Sequence, residues 1–183
     1  SVIGGAKISD KIKVVRNLLK EGKVLIGGGM VFTFYKAQGY EIGDSLLEKD
    51  YVELAKKLIG NKNLVLPTDI VVCQDLDGKG EVKVVRYDGI EPGWIGLDIG
   101  PETLETYRGI LEDGETVIWA GPMGRFEIEE FANGTEEIAE AMSKVGGVSI
   151  VGGGDTVAAV EKSGYVNKLT HVSTGGSAFL EFM

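Results

Sequence analysis

Lys7 and Lys11 stand four residues apart in Gly4-Gly5-Ala6-Lys7-Ile8-Ser9-Asp10-Lys11, directly after a short apolar run, and Gly152-Gly153-Gly154-Asp155-Thr156 follows another such run. Two lysines straddling the start of a helix can both face a strand-end crevice and neutralise phosphate charge there. An aspartate in a first helical turn, beside exposed amides, can hold a Mg²⁺ that bridges nucleotide phosphates. Each feature also has a plainer reading: a solvated lysine pair, and a carboxylate that merely suits the helix dipole. What raises their weight is recurrence. Apolar residues run into glycine clusters at 2–5, 25–29, 150–154 and 172–176, and glycine lets backbone approach a ligand with no Cβ in the way. Gly-Pro turns at Gly100-Pro101 and Gly121-Pro122 join them. Together they suggest one edge of a parallel sheet, lined with backbone donors for a phosphate-bearing ligand. No G-x-x-x-x-G-K followed by Ser or Thr occurs, and no G-x-G-x-x-G follows the first strand, so P-loop and ordinary dinucleotide readings lose ground.

The elements that must position these residues read as alternating strands and helices. Strands are expected at 1–3, 23–26, 63–66, 69–74, 116–119, 148–151 and 169–172, mostly continuous apolar runs of the kind buried on both faces. Ser9 suits an N-cap for a helix over 10–20, with Ile12, Val15, Leu18 and Leu19 as its apolar stripe. Asp50 could cap 51–59, Pro101 fits the first turn of a helix through Leu111, and Thr135 opens another ending near Val145. Alternation of this kind means βαβ units and a ligand crevice at the carboxyl ends of the strands. The stretch 81–87, after Asp77-Gly78-Lys79-Gly80, reads as a small antiparallel excursion. The expected fold is a single α/β domain, a Rossmann-like three-layer sandwich with a mostly parallel sheet.

At 183 residues the chain can build one real core. Nineteen basic against 28 acidic residues give a formal charge of −9, and the basic residues are scattered, which argues against nucleic acid or an anionic membrane as partner. The single cysteine, Cys73, excludes a disulfide framework and fits a reducing cytoplasm. No stretch reaches the roughly 18 continuous apolar residues of a membrane helix, and no signal-peptide pattern opens the chain.

Seven ordered motifs resemble the nucleotide-binding, C-terminal half of phosphoglycerate kinase. They are Gly-Gly-Ala-Lys-Ile-Ser-Asp-Lys at 4–11, Ile-Gly-Gly-Gly-Met at 26–30, Glu-Ile-Gly-Asp-Ser-Leu at 41–46 and Gly-Leu-Asp-Ile-Gly-Pro at 96–101, followed by Gly-Pro-Met-Gly-Arg-Phe-Glu at 121–127, Gly-Gly-Gly-Asp-Thr at 152–156 and His-Val-Ser-Thr-Gly-Gly at 171–176. The resemblance covers nearly the whole chain. It implies that Lys7 stabilises the phosphoryl group in flight, that Lys11 contacts nucleotide phosphates, and that the amides of Gly153 and Gly154 face the transferring group. It places Asp155 on a nucleotide-bound Mg²⁺ and Thr156 on phosphate. Gly28, Gly29, Leu46, Gly96 and Leu97 match positions around the adenine, Gly121 and Pro122 belong to the nucleotide-binding set, and Glu127 matches the carboxylate on the ribose hydroxyls.

The resemblance further implies Mg-ADP or Mg-ATP as ligand and reversible transfer between 1,3-bisphosphoglycerate and ADP, in a cytoplasmic glycolytic protein that is monomeric. In that family the phosphoglycerate sits on a second, N-terminal lobe. Residues 1–183 are therefore expected to be an isolated lobe that binds nucleotide without turnover, with 3-phosphoglycerate as a partner only when the other lobe is supplied. A non-catalytic adenine-nucleotide module is one alternative, and a dinucleotide-dependent oxidoreductase a second. Three positions depart from the family pattern: Ala120 replaces an asparagine, Arg125 a small aliphatic residue, and Ser177 a glycine. Plainer readings hold elsewhere: His171 fixes local structure, Trp94 and Trp119 pack, Glu129 and Glu130 form a solvated face, and Asp98 is either a crevice residue or a cap for an approaching helix.

Overall fold

The structure is a computed structural model and describes residues 1–175. In chain order it contains β1 (Val2–Ile3), α1 (Ile12–Glu21), β2 (Val24–Ile26), α2 (Val31–Ala37), α3 (Val52–Leu58), β3 (Leu64–Val65), β4 (Asp69–Cys73) and β5 (Val82–Arg86). There follow β6 (Ile95–Ile99), α4 (Pro101–Glu112), β7 (Thr116–Ala120), α5 (Asn133–Lys144), β8 (Val148–Gly152), α6 (Gly154–Ser163) and β9 (His171–Ser173). Six strands form a wholly parallel sheet in the order β3-β2-β1-β7-β8-β9.

Strand β2 shows why continuous apolar runs are needed. Val24 and Ile26 enter one core with the buried residues of α1, α2 and α3, while Leu25 enters a second core with α4, α5 and α6. Side chains alternate across a strand, so a strand covered on both faces must be apolar throughout. The result is the three-layer sandwich expected, with β1 and β7 at its centre. Chain direction across the sheet reverses between these two strands, and such a reversal opens a crevice at their carboxyl ends.

The stripe Ile12, Val15, Leu18 and Leu19 is buried as expected. The cap is not. Helix α1 begins at Ile12, with Lys11 at its cap and no side-chain capping bond. Ser9 is used otherwise: its N–H donates to Glu48 Oε2 at 3.0 Å. Asp50 falls in a 3-10 turn, Lys49–Tyr51, ahead of α3. Thr135 lies inside α5, where its buried hydroxyl accepts the N–H of Met123 at 3.0 Å instead of opening the helix. Pro101 does occupy the first turn of α4.

The expected antiparallel excursion is larger than residues 81–87. It is a three-stranded sheet, β5-β4-β6, in which β4 pairs antiparallel with both neighbours. The stretch 69–74 therefore leaves the parallel sheet, because the short connection to β5 permits a hairpin but no crossover helix. Two buried aspartates fix this sheet to the main layers. Asp69 accepts the N–H groups of Glu102 and Thr103 at the start of α4, at 3.0 and 2.8 Å. Asp98 accepts the N–H of Gly134 in the first turn of α5 at 2.7 Å. A helix start leaves its first amides without intrahelical partners, so each carboxylate supplies the missing acceptors across the fold.

Candidate functional site

A cleft of about 1000 Å³ lies at the carboxyl ends of β1, β2, β7 and β8. Its floor is backbone on backbone. The turn after β1 is zipped to the turn after β7, with Gly4 N–H on Ala120 O at 2.9 Å and Gly5 N–H on Pro122 O at 2.8 Å. The turn after β2 joins them through Gly28 N–H on Met123 O at 2.8 Å. Gly28 has φ +68°, and a Cβ there would lie 2.5 Å from both the nitrogen and the oxygen of Gly5. Only glycine allows three chain segments to approach this closely.

One end of the cleft is polar. Lys7, Asp10, Lys11, Asp155 and the start of α6 line it. Lys11 reaches back to the carbonyls of Gly4 and Ala120, the latter at 3.3 Å, so the ammonium sits between the ends of β1 and β7 with one of its three donors still to spend. Burial lowers its pKa to about 8, against the opposing pull of Asp10 and Asp155. Lys7 is exposed within the cleft. Helix α6 begins at Gly154, which puts its free N-terminal amides and dipole end on the same side. Gly153 has φ +97° at the cap, and its own N–H donates to Ser173 O on β9 at 3.2 Å, so of the two amides expected to face a transferring group this one is already engaged by the sheet. Thr156 is buried, and its hydroxyl accepts the N–H of Gly121 at 2.7 Å, which staples α6 to the turn after β7.

The other end is apolar. Val31 and Phe32 of α2, Leu46, and Ile95 to Leu97 of β6 form its walls. A Cβ on Gly96 would fall 2.1 Å from the Phe32 ring, so this glycine lets strand and ring close on each other. Gly96 N–H donates to Ser45 Oγ at 2.9 Å, a bond that carries the 41–46 segment, and Leu46 with it, to the cleft. Leu46 remains 45% exposed, an apolar side chain offered to the cavity.

Every residue put forward from sequence lines this one cleft: Lys7, Lys11, Gly28, Gly29, Leu46, Gly96, Leu97, Gly121, Pro122, Glu127, Gly153, Gly154, Asp155 and Thr156. Asp98 fulfils both roles left open for it, as a cleft residue and as the acceptor at the start of α5. Its burial raises the carboxyl pKa to about 7, over the lowering effect of the Gly134 and Ile99 amides. Arg125 lines the cleft and bonds to Leu76, a partner that sequence reasoning missed. Trp119 is fully buried and donates to Gly121 O at 2.7 Å, and Trp94 packs beneath Lys83, whose ammonium is 3.9 Å from the ring centre. His171 opens β9 at the surface, away from the cleft walls. Ala120 contributes its carbonyl, shared by Gly4 and Lys11. Gly176 and Ser177 lie outside the described residues.

Among the described residues no three His, Cys, Asp or Glu side chains group closely enough to hold a metal by themselves. Asp155 stands with Asp10 at the polar end of the cleft and can supply a carboxylate ligand to a cation that completes its shell with other groups. No helix among the described residues is long and apolar enough to cross a membrane.

The family model described as phosphoglycerate kinase matches residues 1–183. Over its full length the chain is 53% identical to a phosphoglycerate kinase of Moorella thermoacetica and 52% identical to one of Roseiflexus sp., and in each case it spans 48% of the relative. Among solved structures it is similar to phosphoglycerate kinase from Coxiella burnetii, with a TM-score of 0.94 and 41% identity over 99% of this chain and 49% of that one. The Pyrococcus horikoshii phosphoglycerate kinase gives a TM-score of 0.84 at 35% identity, over 99% of this chain and 47% of its own.

Proposed function

Because the chain belongs to the phosphoglycerate kinase family, we propose that residues 1–183 are its nucleotide-binding half and that the cleft takes Mg-ADP or Mg-ATP. The parent reaction is the reversible transfer of a phosphoryl group between 1,3-bisphosphoglycerate and ADP in glycolysis. The observation that carries this reading is the polarity of the cleft. Two lysines, two carboxylates and a helix start stand at one end, and Phe32, Leu46 and Leu97 at the other. A nucleotide has the same division into polyphosphate and base.

Phosphoryl transfer asks a protein for positioning and charge neutralisation more than for covalent chemistry. Lys11 is held at its root by two backbone carbonyls and has a proton left for a phosphate oxygen. Lys7, exposed in the cleft, is assigned to the phosphoryl group in flight. The Gly154 amide faces the same group, whereas the Gly153 N–H is spent on Ser173 O, and Thr156 lies against phosphate while keeping α6 in register with Gly121. Gly28, Gly29, Leu46, Gly96 and Leu97 surround the adenine, Gly121 and Pro122 border the phosphates, and Glu127 receives the ribose hydroxyls. Asp155 would hold the Mg²⁺, which supplies charge neutralisation across the phosphates when bound.

The chain spans about half the length of the relatives it matches, and we assign the phosphoglycerate site to the other half. Residues 1–183 alone then bind nucleotide but do not turn it over, since acceptor and domain closure are both supplied elsewhere. Calorimetric titration with ADP, with and without Mg²⁺ and against NADH as control, tests the binding. Saturable ADP binding is expected, and a folded chain that ignores ADP refutes the proposal. Turnover of ATP dependent on 3-phosphoglycerate by this chain alone would refute the assignment of the acceptor site.

A further inference from the structure

We propose that Arg125 latches the β4–β5 connection across the cleft, so that Leu76 becomes an outer wall for the base end of the ligand; the inference rests on the nucleotide reading above. Arg125 is anchored at its root, because its backbone N–H donates to Leu97 O on β6 at 2.8 Å. Its side chain turns towards the connection between β4 and β5. Nη1 donates to the carbonyl of Leu76 at 2.5 Å, and Nη2 lies 3.8 Å from Asp77 Oδ1. A planar guanidinium with several donors in a fixed fork serves a carbonyl and a carboxylate on consecutive residues at once with less lost freedom than the rotating ammonium of a lysine.

The connection is shaped to meet that fork. Asp75 turns it, accepting the N–H of Asp77 on its carboxylate at 2.5 Å and the N–H of Gly78 on its carbonyl at 3.2 Å. Gly78, at φ +76°, then packs so tightly that a Cβ would stand 3.2 Å from the Phe131 ring and 3.3 Å from Ile128. The loop is thus seated on the segment that follows Arg125 and tied to Arg125 itself. Held in this way, Leu76 lines the cleft with 53% of its surface exposed. A large apolar side chain kept in the open, with its backbone fixed from behind, gains from an apolar ligand face that covers it. Leu46 presents the same character to the same cavity, and Leu97, mostly buried, lines it as well. The base, and not the phosphates, is the part of a nucleotide that matches. Arg125 therefore acts as a positioning residue, through Leu76.

Three variants, R125A, R125K and L76A, titrated with ADP and separately with inorganic tripolyphosphate, each with Mg²⁺, separate the two ends of the cleft. R125A and L76A should weaken ADP by about five- to tenfold, the loss of one good hydrogen bond or a comparable apolar contact, and leave tripolyphosphate within about twofold. R125K should fall between R125A and the unaltered protein. Hydrogen exchange of residues 75–78 in the free protein should quicken in R125A. Equal losses for ADP and tripolyphosphate, or unchanged exchange in the loop, would overturn the latch while leaving the nucleotide reading intact. An unaltered, folded protein that binds neither probe would overturn that reading and the latch with it.

Discussion

Thr103 on α4 and Asp69 on β4 are joined by a hydroxyl–carboxylate hydrogen bond of 2.6 Å, and the same hydroxyl oxygen accepts the N–H groups of Thr68 and Asp69 at 3.0 and 3.2 Å. Both residues are buried. One side-chain oxygen therefore satisfies a strand and a carboxylate that in turn satisfies the start of a helix. Thr103→Val keeps the shape and removes all of this, leaving two amides short of an acceptor and a carboxylate short of a donor. The expected destabilisation is about 2–4 kcal/mol, read as a lower urea midpoint at constant slope, with Thr103→Ser close to the parent. A valine variant within about 0.5 kcal/mol would show that the small sheet docks without this bond.

Asp98 should make stability fall as pH rises through neutrality. Unfolded, the carboxyl titrates near 3.8; folded, burial raises it to about 7. Between those values the native state holds a proton that the unfolded chain has released, so the contribution is complete below 3.8 and lost as pH passes 7. The amplitude is on the order of a few kcal/mol. Asp98→Asn cannot titrate, so its loss of stability between pH 5 and pH 8 should be smaller than in the parent. Parallel pH profiles for the two proteins would rule this residue out as the source.

Fold and site were legible in the sequence to different depths, for physical reasons. Interior parallel strands must be apolar on both faces, which is why Val24–Ile26, Thr116–Ala120 and Val148–Gly152 stood out. Glycines that allow turns to touch marked the cleft edge for the same steric reason that fixes Gly28. Strand β6 escaped because Gly96 and Asp98 interrupt it. Gly96 answers to Phe32 and Asp98 to Gly134, and neither partner is near in sequence. The Ser9 cap failed because α1 starts only at Ile12 and the Ser9 hydroxyl turns to Asp10, while the Arg125 partner lies 49 residues away. Local propensity is blind to all of these.

Lys11 should draw a proton into the complex at alkaline pH. Its folded pKa of about 8 means that the free side chain is largely neutral at pH 9, while a phosphate beside it favours the ammonium. ADP binding at pH 9 is expected to take up close to one proton, and at pH 6.5 almost none from this group. Calorimetry in buffers of different ionisation enthalpy measures the uptake, which should vanish in Lys11→Met. For folding, the sign is the reverse of that for Asp98: stability from this depressed pKa is present above 10.5 and lost as pH falls through 8.

The two lysines should also differ in what their removal costs. Lys11 is fixed between Gly4 and Ala120 and available to the ground-state ligand, whereas Lys7 has no such anchor among the described residues and is assigned to the group in flight. Lys11→Ala should weaken ADP by about tenfold or more, the scale of a charge-assisted hydrogen bond. Lys7→Ala should leave ADP affinity within about threefold, because interactions made only in the transition state do not hold the ground state. Equal losses in the two variants would contradict the division of roles.

Gly28 and Gly154 both line the cleft, yet adding a methyl group to each should have opposite consequences. At Gly28 the backbone lies at φ +68° and the new Cβ would meet the Gly5 backbone at 2.5 Å, where no flexible side chain can yield. Gly28→Ala should therefore cost more than about 3 kcal/mol and lower the melting temperature whether or not ADP is present. Gly154 opens α6 with nothing among the described residues within 4 Å of its Cβ position, so alanine there is free to fold and gains helix propensity. Gly154→Ala should match or exceed the parent in stability while losing ADP affinity, because the methyl group occupies space that the proposed phosphates need. Thermal melts with and without saturating ADP separate the cases: Gly28→Ala lowers the baseline melt, and Gly154→Ala keeps the baseline but loses the ADP-induced rise. If Gly154→Ala retained that rise in full, close backbone approach at the start of α6 would not be part of how the ligand is held.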